Sequence, residues 1–189
     1  RIAGVFQHKQ IIFVAHSMGG LVVEAFLLRF RYLAPQTPVI LLYSTPHEGS
    51  EISSIARVIS SNPGLETMIS GDKNQYLRRL ESDWRNSGFT TQVRCAYELL
   101  DTYKIRIVTR LSATRPCSGS STPVNADHID MVKPLTADSG AVLALKLAII
   151  SLPAIPGSVA PPTQEVVTNT PTPARTVDFR LGARKSVRD

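Results

Sequence analysis

In IIFVAHSMGG, residues 11 to 20, a run of strand-forming residues ends on His16 and Ser17 and gives way to two glycines. A buried strand gains nothing from a polar pair, and each glycine costs a helix about 1 kcal/mol. Both costs occur together where a strand turns abruptly into a helix. Strand, x-Ser-x-Gly-Gly, helix is the pattern of a nucleophile elbow, in which Ser17 sits in a strained conformation with its hydroxyl above the sheet edge. Glycine is expected there because the strand and the following helix bring their backbones too close for a β-carbon. The N–H of Met18, first in the helix, then points to where an oxyanion would form. Ala15 takes the first small position of the usual Gly-x-Ser-x-Gly pattern.

Around the elbow, short β-branched runs alternate with longer helical stretches, the pattern of an α/β protein with a mostly parallel sheet and flanking helices. Strands are expected at 11–15, 39–44 and 91–98, and a helix from Met18 to about Tyr32 with Leu21, Ala25, Leu28 and Tyr32 on its inner face. Pro35 and Pro38 are expected to end that helix, and further helices fall at about 50–60 and 72–86. Only LLDTYK separates the third strand from IRIVTRLSA, residues 105–113, whereas a parallel crossover needs a dozen residues or more. Either 105–113 pairs antiparallel, or it is a loop beside the site and TPV, 122–124, is the last strand. AVLALKLAII, 141–150, reads as a buried helix, too short to span a bilayer.

The 189 residues with 43% hydrophobic content provide for one domain and an appendage. From Ala154 on, Pro, Thr and Val dominate, so residues 1–153 are taken as a partial domain and 154–189 as a disordered linker and basic tail. The +6 formal charge is partly concentrated in the last fifteen residues, where Arg175, Arg180, Arg184, Lys185 and Arg188 face only Asp178 and Asp189. Without interleaved aromatic residues it reads as solvated rather than as a nucleic-acid contact, and peripheral membrane contact stays open. Cys95 and Cys117 do not amount to a disulfide framework, and Cys95, in an apolar run, reads as a small buried free thiol, which favours a reducing, intracellular and cytoplasmic setting. With no initiator Met, signal peptide or membrane span, the chain reads as beginning inside a domain.

A serine hydroxyl is a weak nucleophile and needs a base and an orienting acid, in the chain order Ser, acid, His. Of the four histidines, His8 reads as surface, His16 as lining or packing beside the elbow, and His47 as a structural hydrogen-bonding residue. His128, in a polar loop after the last candidate strand, is the base. Glu98, ending the third strand, emerges on the same sheet edge as Ser17 and is the acid, with Asp101 and then Glu48 as alternatives. Asp127 is too close in sequence to reach the His128 ring and is expected to fix its loop.

IIFVAHSMGGLVV, LLYSTPHEGS, CAYE, IVTRLSA and ADHIDMVKP, in that order, resemble the lipase-like serine esterases of the α/β-hydrolase superfamily. The nearest branch holds GPI inositol deacylases and the hydrolase domains at the N-termini of nucleotide-binding signalling proteins. The resemblance covers about residues 8–135. It implies Ser17 as nucleophile, Glu98 as acid, His128 as base, an eight-stranded sheet, ester or lipid-ester substrates, and neither cofactor nor metal. The chain departs from that pattern by starting just before the elbow strand, without the loop that supplies a second oxyanion N–H. It also leaves strand 11–15 as an apolar edge. Further domains of the same polypeptide are expected, and an effector or interaction module of a larger switch protein is the alternative to an esterase.

Overall fold

The computed structural model describes residues 8–48, 51, 52, 55 and 73–154, which belong to one compact unit. The linker and tail expected over 154–189 lie outside the described residues apart from Ala154. Four strands form a parallel sheet in the order β1 (Ile12–His16), β2 (Val39–Tyr43), β3 (Gln92–Glu98) and β4 (Thr122–Val124). The helices with both ends placed are α1 (Met18–Arg29), α2 (Lys73–Arg85), α3 (Arg110–Thr114) and α4 (Gly140–Ile150). The α/β class expected from the alternating pattern is therefore the one formed.

All five residues of β2 are buried, as a strand covered on both faces requires. Val39, Leu41 and Tyr43 pack with Ala96, Val124 and the alanines of α4 on one face. Ile40 and Leu42 turn to the other, with Leu27 of α1, Leu33, Val93 and Cys95. β1 pairs with β2 alone and is an edge of the described sheet, with Val14 51% exposed. The C-terminal ends of all four strands point the same way, so Ser17, Ser44, Glu98 and the loop after Val124 share one sheet edge.

Several expectations are corrected. Helix α1 ends at Arg29, well before Pro35, and a 3-10 turn at Arg31–Gln36 follows that contains Pro35. Tyr32 consequently leaves the inner face and is exposed. Of the two readings left open for 105–113, the one without a strand there holds: Thr102 and Ile105 make one isolated bridge, α3 follows from Arg110, and TPV is the last strand, parallel to β3. Helix α4 is only half a buried helix. Ala141, Ala144 and Ala148 face the sheet, while Leu143, Leu147, Ile149 and Ile150 are exposed, because small side chains let the helix lie close to the strands and turn the large ones outward. Of the helix expected at 50–60, Glu51, Ile52 and Ile55 are described and helical; the rest lies outside the described residues.

The free-thiol reading is overturned as well: Cys95 on β3 and Cys117 after α3 are joined by a disulfide, their Cα atoms 5.8 Å apart, within the roughly 4.4–6.8 Å such a bridge spans. The chain returns along β3 there, with Ser118 N–H donating to Val93 O at 2.8 Å. The support for a reducing compartment falls with it. Among the described residues no helix is long and apolar enough to cross a membrane.

The elbow glycines differ in what they permit. A β-carbon at Gly20 would lie 2.0 Å from Thr45 Oγ1 and 2.8 Å from Thr45 Cβ, whereas one at Gly19 would meet Ala15 Cβ at 3.9 Å. Gly20 is thus required by the side chain after β2, not by the strand backbone. Gly20→Ala is expected to destabilise the fold by about 1–3 kcal/mol and Gly19→Ala to be neutral or stabilising by up to about 1 kcal/mol, as read by thermal unfolding. Cys117→Ser, or reductant on the native chain, should lower the unfolding free energy by about 2–4 kcal/mol in urea titrations.

Candidate active site

Ser17 is the residue between β1 and α1. Its N–H still donates to Tyr43 O at 2.9 Å, continuing the ladder, and its carbonyl already accepts from Gly20 N–H at 3.1 Å. Serving both elements forces φ to 55° and ψ to −135°, a region costly for any residue with a β-carbon. Its side chain makes no helix-capping bond. The hydroxyl is left to face His128, whose Nε2 lies 3.0 Å away.

His128 is fully buried. Its Nδ1 lies 2.7 Å from Glu98 Oε2. An ionised carboxylate only accepts, so Nδ1 carries the proton, and the neutral ring presents Nε2 as the acceptor for the Ser17 hydroxyl. The His128 backbone is held from two sides: its N–H donates to Thr102 Oγ1 at 3.0 Å and its carbonyl accepts from His16 Nε2–H at 2.8 Å. Asp127 Oδ1 accepts from the N–H groups of Ile129 and Asp130, at 2.9 and 2.8 Å, so it fixes the loop as expected.

Glu98 is 3% exposed. Burial pushes its pKa up, but the hydrogen bond from His128, that from Val108 N–H to Oε1 at 3.0 Å, the His128 charge and the Ser44 hydroxyl together outweigh burial and hold it below the ordinary value. Ser44 reaches under the strand end because it adopts a left-handed φ of 40° immediately after β2; its Oγ also accepts from Glu98 N–H at 3.1 Å. The two alternative acids are elsewhere. Asp101 pairs with Arg106 Nε at 2.9 Å, and Glu48 with Arg115 at 3.1 Å. Met18 opens α1, where the first N–H groups have no acceptor within the helix.

His16 packs its ring 4.8 Å from that of His128 and borders an apolar cavity of about 310 Å³ with Val14, Tyr43, Val132 and Leu145. Its pKa is lowered by burial first and then by the neighbouring His128. His47 takes the structural role expected. Nδ1 donates to Thr45 O and Ser112 O at 3.1 and 3.2 Å, and Nε2 lies 3.2 Å from Glu24 Oε1. Burial lowers its pKa, yet the bonds and charge of Glu24 and the two carbonyls win, and the value is raised. Acceptors beside both nitrogens favour the imidazolium form of His47 next to the buried Glu24.

Glu24, Glu51, Ser44, Thr102 and Ser112 were not singled out from sequence. Glu24 left one signal: it is a charge within the stripe Leu21, Glu24, Leu27, where helical spacing calls for an apolar residue. Among the described residues no group of three or more His, Cys, Asp or Glu side chains could hold a metal ion.

No known family profile matches the chain. It is similar to protein SERAC1. The cattle and human proteins are each 30% identical to it over 156 positions, which cover 74% of this chain and 23% of theirs. The chain thus spans about a quarter of the length of the curated relatives it matches. Among solved structures, the esterase domain of a Rhodothermus marinus protein superposes with a TM-score of 0.43 at 15% identity, covering 74% of this chain and 59% of that one. A thioesterase domain from the curacin biosynthetic pathway gives 0.36 at 9% identity, covering 75% and 66%.

The raised His47 pKa sets a direction for stability. A group whose folded pKa lies above its unfolded value contributes stability that is complete below the unfolded value and is lost as pH rises through the folded one. The destabilisation caused by Glu24→Gln should therefore be largest below pH of about 6.5 and shrink toward alkaline pH in denaturant titrations. A pH-independent cost would contradict an imidazolium at position 47.

Proposed function

We propose that this chain is the nucleophile-bearing part of a serine hydrolase that cleaves carboxylic esters through an acyl-enzyme. The observation that carries this reading is the unbroken relay from Ser17 Oγ to His128 Nε2 at 3.0 Å and from His128 Nδ1 to Glu98 at 2.7 Å, built on a serine at φ 55°. The chain order Ser, acid, His and the strand–elbow–helix setting fit an α/β-hydrolase.

In this reading Ser17 Oγ attacks the acyl carbonyl while His128 Nε2 takes its proton. Glu98, kept ionised at neutral pH by its donors, holds the imidazole in the required tautomer and stabilises the imidazolium. The oxyanion forms against Met18 N–H at the positive end of α1. Collapse breaks the ester C–O bond, and the alcohol leaves with the proton from His128. Water then attacks the acyl-serine with His128 again as base, which releases the acid and restores Ser17.

Lipid-type esters are the proposed substrate class, in keeping with the resemblance to lipase-like esterases and, within them, to the branch that includes GPI inositol deacylases. Large apolar side chains stand exposed on the segment leading out of the triad: Leu99 and Leu100 directly after Glu98, then Tyr103 and Ile105. They suit an apolar acyl chain and contact with a membrane surface during turnover.

A fluorophosphonate probe should label the full-length polypeptide and fail to label Ser17→Ala. Glu98→Gln should keep the fold but lower kcat by on the order of 10³–10⁴. Absence of labelling in well-folded protein, or equal labelling of Ser17→Ala, would dismiss the hydrolase. Across p-nitrophenyl esters, kcat/KM should rise from acetate to octanoate; a preference for acetate would remove the lipid assignment and leave the esterase.

A further inference from the structure

Beside the triad the interior holds a second line of polar groups that takes no part in the reaction proposed above. It starts at Glu24, 2% exposed on α1, and passes to His47. His47 N–H donates to Ser112 Oγ at 2.7 Å, and the Ser112 hydroxyl donates to Glu51 Oε2. The other oxygen of Glu51, itself 5% exposed, accepts from Thr109 N–H at 2.7 Å. Thr109 follows Val108, whose N–H donates to Glu98 Oε1.

Two consecutive backbone amides are thus donated to two different buried carboxylates, Val108 to Glu98 and Thr109 to Glu51. A peptide held at both neighbouring N–H groups cannot rotate, so the direction of the Val108 donor is set by what Thr109 is attached to. Burying two carboxyl groups and a histidine for stability alone is a poor arrangement, since apolar side chains of similar volume often serve as well or better. What apolar packing cannot supply is an acceptor at one defined place. Glu98 needs that definition: with Oε1 occupied by Val108, Oε2 is the oxygen left for His128. Segment 107–112, which is neither strand nor long helix, depends on such anchors for its path.

We propose that Glu51, acting together with Ser112, is a positioning residue for the acid of the triad, holding Val108 N–H on Glu98 Oε1 so that Oε2 stays directed at His128. The inference rests on the hydrolase reading above. It assigns a role to two motifs the reaction leaves unused: STPHEGS brings in His47, and IVTRLSA brings in Val108, Thr109 and Ser112.

The test is a double-mutant cycle on the full-length polypeptide, read by turnover of p-nitrophenyl butyrate and by the rate of fluorophosphonate labelling. Glu51→Ala should lower kcat and the labelling rate by about 10- to 100-fold, the worth of one charge-assisted hydrogen bond, with KM changed by less than about twofold. Glu51→Gln, which keeps an oxygen for Thr109 N–H, should recover most of the loss. In a Glu98→Ala background the same Glu51→Ala change should cost little, because the group it positions is gone. An equal cost in both backgrounds, or a loss confined to KM, would overturn the positioning role. If Glu51→Ala does not fold, Ser112→Ala carries the same cycle with the same criteria. Should Ser17→Ala turn over substrate as well as the native protein, the hydrolase reading itself fails; with Ser17→Ala inactive and the cycle additive, the positioning role alone is lost.

Discussion

A carboxylate taken out of water at the C-terminal end of β3 is the constraint around which the loops of this protein are arranged. Burial by itself raises the Glu98 pKa, because desolvation penalises its charge. Glu98 is kept ionised by donors from three separate places in the chain: Ser44 after β2, Val108 ahead of α3 and His128 after β4. The parallel sheet makes this convergence possible, since all its strands end on the same edge. The same donors decide orientation. Oε1 faces the loop, Oε2 faces the imidazole, and the imidazole in turn meets Ser17.

Backbone strain gathers on that edge. The described non-glycine residues with φ in the left-handed region are Ser17, Ser44, Tyr103 and Lys104. Ser17 turns from a strand end into α1 and Ser44 from a strand end beneath Glu98, while Tyr103 and Lys104 form the turn between the bridged Thr102 and Ile105, and the Thr102 hydroxyl holds His128 N–H. Conformations of this kind cost about 1–3 kcal/mol apiece and persist when surrounding packing over-determines them. Here the packing includes the fully buried Val39, Ile40 and Leu42 of β2 and the close seat of Thr45 against Gly20. The rigid centre of the sheet offsets the strain at its rim.

The legible parts of the site share a property: each was marked by its immediate neighbours. Ser17 stands between an apolar run and two glycines, Glu98 closes a strand, and His128 lies in a polar loop after the last strand. Asp101 and Glu48, ranked behind Glu98 in the sequence, also place a carboxylate near that edge, but in the fold they pair with Arg106 and Arg115. Segment 105–113 stayed undecided because its β-branched residues suit a strand, whereas in the fold Glu98 and Glu51 accept the amides of Val108 and Thr109. The pairing of Cys95 with Cys117 left no trace in spacing, since two cysteines 22 residues apart meet only once α3 folds the chain back along β3.

By itself the sequence determined the alternation that makes a parallel α/β sheet and the strand–turn–helix at Ser17, and it singled out Ser17, Glu98 and His128, because periodicity and turn chemistry act over a few neighbouring residues. Only the tertiary structure decided which oxygen of Glu98 faces His128, why Gly20 cannot carry a side chain, and that Glu24, His47, Ser112 and Glu51 form one buried line. Those outcomes depend on groups up to 65 residues apart along the chain, brought together by packing that leaves no local pattern to read.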